Sequence, residues 1–212
     1  MSANDLLVHR PRLTIAAAKA IAAAAEAAAR EQHLKLVIAI VDEGGHLMLL
    51  DQTRLPLEVV EIPCRTVEEA WDAIKRLVVR GAPAIGVAAG YAVCLSIKNG
   101  EAAVYDVVEA CRYLATSRPT AVNLFWALSR MRRVAEAATS TSGPALAEAL
   151  LAEARAIHEE DRQMCAAMGR HGADLLAELP EGAGILTHCN AGALATGGDG
   201  SGLSPVFELA RR

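Results

Sequence analysis

The sequence lacks most of the features by which common functional classes show themselves. Its five cysteines, Cys64, Cys94, Cys111, Cys165 and Cys189, include no C-x-x-C pair, and no secretory segment precedes them. They read as reduced cytoplasmic thiols, not as a disulfide framework. No His-x-x-x-His or carboxylate spacing resembles a metal site. There is no polybasic surface: formal charge is -4 and the pI is near 5.9, which argues against nucleic acid as a partner. The alanine-rich stretch from Ile15 to Ala29 is broken by Lys19 and Glu26 and is too short to cross a bilayer, so no membrane helix is expected. The glycines from Gly197 to Gly202 lack both the lysine of a phosphate-binding Walker loop and the dinucleotide pattern. They read as a frayed terminal loop.

What is present is a chain of 212 residues, 53% of them hydrophobic, enough for one sizeable core or two small ones. Met1 to Arg12 has no period. Thr14 can cap a helix over Ile15 to Glu31. Leu36 to Val41, the turn Asp42-Glu43-Gly44-Gly45 and His46 to Leu50 predict a hairpin, and a turn at Gln52 to Pro56 leads to a third antiparallel strand at Leu57 to Ile62. The pattern then turns helical. Thr66-Val67-Glu68-Glu69 fits a capping box opening a helix that ends near Arg80-Gly81. Pro83 starts an almost wholly apolar, buried helix to Ile97. Further helices are expected over Ala102 to Ala115, Pro119 to Ala137, and Pro144 to Leu176 with a break near Gly169. Thr139 to Gly143 is the clearest linker. Gly184 to His188 reads as a buried strand, with Asn190 to Ala193 as the turn after it. The predicted fold class is mainly α with a small N-terminal antiparallel β-sheet, and with the start of a truncated α/β (Rossmann-like) domain at the C-terminus.

Three segments can carry chemistry. In Arg80-Gly81-Ala82-Pro83 a cation precedes a glycine turn and a proline-started helix, whose free N–H groups and dipole suit a phosphate; the alternative is an exposed helix end and a plain turn. Ser117-Arg118-Pro119-Thr120 repeats that logic, with Asn123 and Trp126 on the following turns; an ordinary capped helix is the alternative. In Thr187-His188-Cys189-Asn190-Ala191-Gly192 a cysteine at the end of a strand, before a helix start, gains from backbone N–H groups as nucleophile or acid/base; an inert cysteine is the alternative. A continuing strand would point His188 away from Cys189. His158, Glu159, Glu160 and Asp161 read as a solvated helix face with local ion pairs.

Five segments in order, LLDQTRLPLEVVEIPCRT, VVRGAPAIGVAAGYAV, SRPTAVNLFWALSRM, AIHEEDRQMCAAMGRHGADLL and LTHCNAGALATGG, resemble the methylthioribose-1-phosphate isomerase family, part of the initiation factor 2B-related superfamily. The resemblance implies cofactor-free conversion of 5-methylthioribose 1-phosphate to its ketose in methionine salvage. It implies substrate binding by Arg80, Gly81, Ala82 and Arg118, catalysis by Cys189, and possibilities of a homodimer or of a partner chain completing the second domain. The family's acid/base aspartate has no counterpart here, so the isolated chain is expected to be truncated and inactive. A non-catalytic fragment or assembly module is the alternative. Residues from Leu13 to Leu50 resemble the opening of the GlcG or HbpS-like family, whose members bind haem or other small ligands, a third alternative. His46 reads as an exposed hairpin histidine. These readings divide the chain into a leader (1–12), a GlcG-like part (13–48), an isomerase-type N-terminal domain (49–140), linking helices (141–180) and the start of a catalytic domain (181–212).

Overall fold

The computed structural model describes residues 40–41, 46–97, 102–138, 143–180 and 183–212. The predicted helix over Ile15 to Glu31 and most of the GlcG-like part lie outside the described residues.

Strands β1 (Ile40–Val41), β2 (Leu47–Leu50) and β3 (Glu61–Cys64) form an antiparallel sheet in that order. Ile40 pairs with Met48, and Leu49 with Ile62. Successive residues face opposite sides of a strand, and Leu47 and Leu49 are fully buried between half-buried Met48 and Leu50. The third strand is present but displaced towards the C-terminus from Leu57–Ile62. Asp51 explains the shift: its carboxylate accepts the Thr53 amide and hydroxyl, at 3.0 and 2.6 Å. This turn, with Glu58 N donating to Arg54 O, holds Leu57 out of the ladder at 92% exposure. Pro63 is tolerated because β3 is an edge strand.

Helix α1 (Val67–Lys75) is capped as expected, Thr66 accepting the Glu69 amide. It stops earlier than the apolar spacing suggests. Leu77 adopts φ 67°, with Leu77 N donating to Ile74 O and Val78 N to Ala73 O. That pattern is a Schellman termination, built here on a leucine where glycine is usual. The freed Val78 and Val79 are wholly buried.

Helix α2 (Ala82–Cys94) is buried on every side from Ala84 to Val93, as its composition requires. Around it pack α1, α3 (Val104–Ala115), α4 (Val122–Ala137) and α5 (Gly143–Leu176). One apolar core runs through them from Leu47 to Ile157. Arg130 on α4 bonds Glu153 and Glu160 on α5 and lies 4.9 Å from the Trp126 ring centre. Two helix boundaries differ from expectation. Helix α4 begins at Val122, not Pro119, because Ala121 N closes a turn on Arg118 O. Helix α5 runs through Gly169 unbroken. Its glycines give close approach to α6 (Ser204–Arg211): a Cβ at Gly172 would lie 2.4 Å from Pro205 Cγ.

The predicted strand from Gly184 to His188 is absent. Residues 183–188 have no ladder partner, and Leu186 is 97% exposed. An apolar run without a neighbouring strand leaves its backbone groups unpaired, so it does not become a strand on composition alone. With it goes the structural basis, within the described residues, for a Rossmann-like start.

Candidate active site

The start of α2 is an open helix N-terminus. Gly81 caps it at φ 95°, with no side-chain cap hydrogen bond among the described residues. The positive φ selects glycine, and so does packing: a Cβ at Gly81 would lie 2.4 Å from the Ala195 Cα. Ala195 belongs to a short 3-10 turn, Ala193–Ala195, so the segment following Cys189 is laid directly on the Arg80–Gly81 turn. Arg80 is exposed and donates from Nη2 to the Gln52 carbonyl at 2.5 Å. Gln52 in turn donates from Nε2 to the Leu194 carbonyl at 2.8 Å.

Helix α4 begins beside α2. A Cβ at Gly86 would meet the Asn123 carbonyl at 2.9 Å, so the second turn of α2 touches the first turn of α4. Arg118 does not sit immediately before its helix, as expected, but at the start of the turn that leads into it. Its side chain is half-buried, and its Nη1 is enclosed without a hydrogen-bond partner. Between α2, α4 and α5 lies a crevice of about 370 Å³, lined by Pro83, Val87, Val122, Asn123, Trp126 and Met164 among others.

The glycine loop is not frayed. Asp161 Oδ2 accepts the Gly197 amide at 2.6 Å, and His158 Nε2 lies 3.1 Å from the Gly197 carbonyl. A carbonyl only accepts, so Nε2 carries the proton, and in the neutral ring Nδ1 accepts from the Tyr91 hydroxyl 3.3 Å away. Thr196 Oγ1 accepts the amides of Gly198 and Gly200 at 3.2 and 3.1 Å. His158 and Asp161 therefore hold the loop instead of lining a solvated face. Sequence spacing missed this because their partner lies 36 residues or more away.

Cys189 is exposed with φ 63°, and its Sγ lies 3.6 Å from His188 Nδ1. The two side chains meet because no strand alternates them. Of the five cysteines it alone is exposed; Cys64, Cys111 and Cys165 are buried and Cys94 is half-buried. Burial pushes the Cys64 thiol up to about 11 and those of Cys94 and Cys111 up to about 12, which leaves them protonated and unreactive at neutral pH. The structure thus joins Arg80, Gly81 and Ala82 to the Cys189 segment through Gln52 and Ala195, and brings the α4 start alongside.

Residues 78–211 match the model of the initiation factor 2 subunit family. The chain belongs to this family. Residues 13–55 also match a haem degrading protein HbpS-like family. Within the first family, the chain is 51% identical over 173 residues to a 5-deoxyribose 1-phosphate isomerase of Moorella thermoacetica, covering 79% of this chain and 48% of that protein. It is 50% identical to a methylthioribose-1-phosphate isomerase of Rhodopirellula baltica, covering 78% and 47%. Among solved structures, 5-methylthioribose 1-phosphate isomerase from Pyrococcus horikoshii OT3 superposes with TM-score 0.70 at 36% identity, over 82% of this chain and 49% of that one. The translation initiation factor eIF-2B subunit delta from A. fulgidus superposes with TM-score 0.70 at 40% identity, over 84% and 52%. The chain spans about half the length of the curated relatives it matches.

Proposed function

We propose that this chain binds a 5-substituted ribose 1-phosphate, 5-methylthioribose 1-phosphate or 5-deoxyribose 1-phosphate, and carries the thiol for its aldose–ketose isomerisation. The observation that carries this reading is Arg118 Nη1, a buried cationic donor with no acceptor among the described residues. A buried donor left unpaired costs about 1–3 kcal/mol, and a phosphate oxygen removes that cost with a charge-assisted bond. Arg80 and the open α2 terminus at Gly81 and Ala82 add the second charge and the dipole. The names of the two isomerase relatives supply the substrate class.

The reaction opens the C1–O4 ring bond, moves hydrogen from C2 to C1, and turns the C2 alcohol into a carbonyl while its hydroxyl proton ends on the freed O4. The sugar supplies both oxidant and reductant, so the balance needs no external redox group. Cys189, exposed and beside His188, is the thiol placed to exchange a proton with the substrate. The acid/base carboxylate of such a reaction has no counterpart among Arg80, Gly81, Ala82, Arg118 and Cys189.

Free thiols suit a reducing cytoplasmic setting, and no helix among the described residues is long and apolar enough to cross a membrane. A second reading, an assembly module completed as a homodimer or by a partner chain, is favoured by Leu186 and Val122 at 97% and 75% exposure. Calorimetry with 5-deoxyribose 1-phosphate tests the first reading. Arg118→Ala is expected to weaken binding about tenfold or more, the loss of one charge-assisted contact; unchanged affinity would leave the assembly module as the better account.

A further inference from the structure

Gln52 sits at the junction of the two halves of the candidate site and is not among the residues to which the resemblance gives a role. It is 1% exposed. Its amide donates to Val78 O at 3.0 Å, its carbonyl accepts Arg80 Nη2 at 2.5 Å, and its side-chain Nε2 donates to Leu194 O at 2.8 Å. The side-chain Oε1 is enclosed with no donor. A leucine would fill similar space without an orphaned oxygen, so the amide is not there for packing. What it accomplishes is a tie across 142 positions of sequence, from the loop after β2 to the 3-10 turn after Cys189. The tie falls where Gly81 and Ala195 are already in van der Waals contact, so one residue grips both the arginine of the anion-binding turn and the segment that carries the thiol.

We infer that Gln52 is a positioning residue that fixes the Cys189 segment relative to Arg80, so that anion and thiol address one ligand. The ligand part of this inference rests on the sugar-phosphate reading above; the mechanical part does not. Gln52→Met keeps the length and removes the donor, and Gln52→Glu keeps the shape and removes the same donor, which guards against a folding failure in either one.

Two measurements on the full chain decide the matter. In hydrogen exchange, the Ala195 and Thr196 amides, bonded to Gly192 O and Ala193 O, are expected to exchange about tenfold faster in the variants, with α2 amides unchanged. Unchanged exchange at Ala195 and Thr196 would overturn the inference. In alkylation, inorganic phosphate is expected to change the rate of iodoacetamide reaction at Cys189 about threefold in the parent chain and not in Gln52→Met, although phosphate still binds. An equal phosphate effect in both would show that Gln52 transmits nothing and would equally overturn it. A parent chain that binds no phosphate would sink the sugar-phosphate reading, and the exchange result alone would then decide the role of Gln52.

Discussion

Asp51 shows how one residue shapes the entry to the site. Burial pushes its carboxyl pKa up, but the Thr53 hydroxyl and amide, with Arg54 and Arg76 nearby, outweigh burial and hold it below the ordinary aspartate range. A carboxyl whose pKa is lower folded than unfolded stabilises the fold above its unfolded pKa, and that share is lost as pH falls through the folded value. Urea midpoints should therefore drop as pH goes below about 4, and Asp51→Asn should lower the midpoint at neutral pH while flattening the acid drop. An Asn variant as acid-sensitive as its parent would show that Asp51 contributes nothing there. At this scale the glycine cap and proline-started helix after Arg80 were legible, because a cation, a glycine and a proline stand in one run. It was not legible for Gln52, His158 and Asp161, whose partners lie far along the chain and leave no spacing to read.

At the scale of elements, helix periodicity and capping located α1 to α5, and the hairpin with its third strand lay close to expectation. The misreadings share a physical cause, namely that local composition was overruled by a tertiary contact or by its absence. Leu77 ends α1 in a conformation leucine seldom adopts, Pro119 lies before α4 and not within it, and Gly184 to His188 has the composition of a strand but no partner. Gly169 reads as a helix break because glycine lowers helix propensity, whereas in the fold Gly169 and Gly172 let α6 lie on α5. Gly172→Ala should therefore disturb that docking, since its Cβ would meet the Pro205 ring, which cannot swing aside. Overpacking of this kind costs about 1–3 kcal/mol, and limited proteolysis should then cut before α6 sooner than in the parent. Equal cutting rates would mean that the helices separate enough to absorb a methyl group.

For the whole molecule, five ordered segments of sequence sufficed to place the chain among relatives twice its matched length, while only the structure revealed how they meet. Helix α2 is buried on all sides as the central element, its start touches the segment after Cys189 and its second turn touches α4, and α5 grips the glycine loop through His158 and Asp161. Apolar side chains at Leu57, Val122 and Leu186 are exposed. We propose joint service of one sugar phosphate by the Arg80–Gly81 turn, Arg118 and Cys189. Its most direct test is the rate of iodoacetamide reaction at Cys189 with and without 5-methylthioribose 1-phosphate, in the parent chain and in Arg118→Ala. The sugar phosphate is expected to shield the thiol in the parent, and the shielding to be lost in the variant; a thiol that reacts equally fast at saturating sugar phosphate would rule out a shared site.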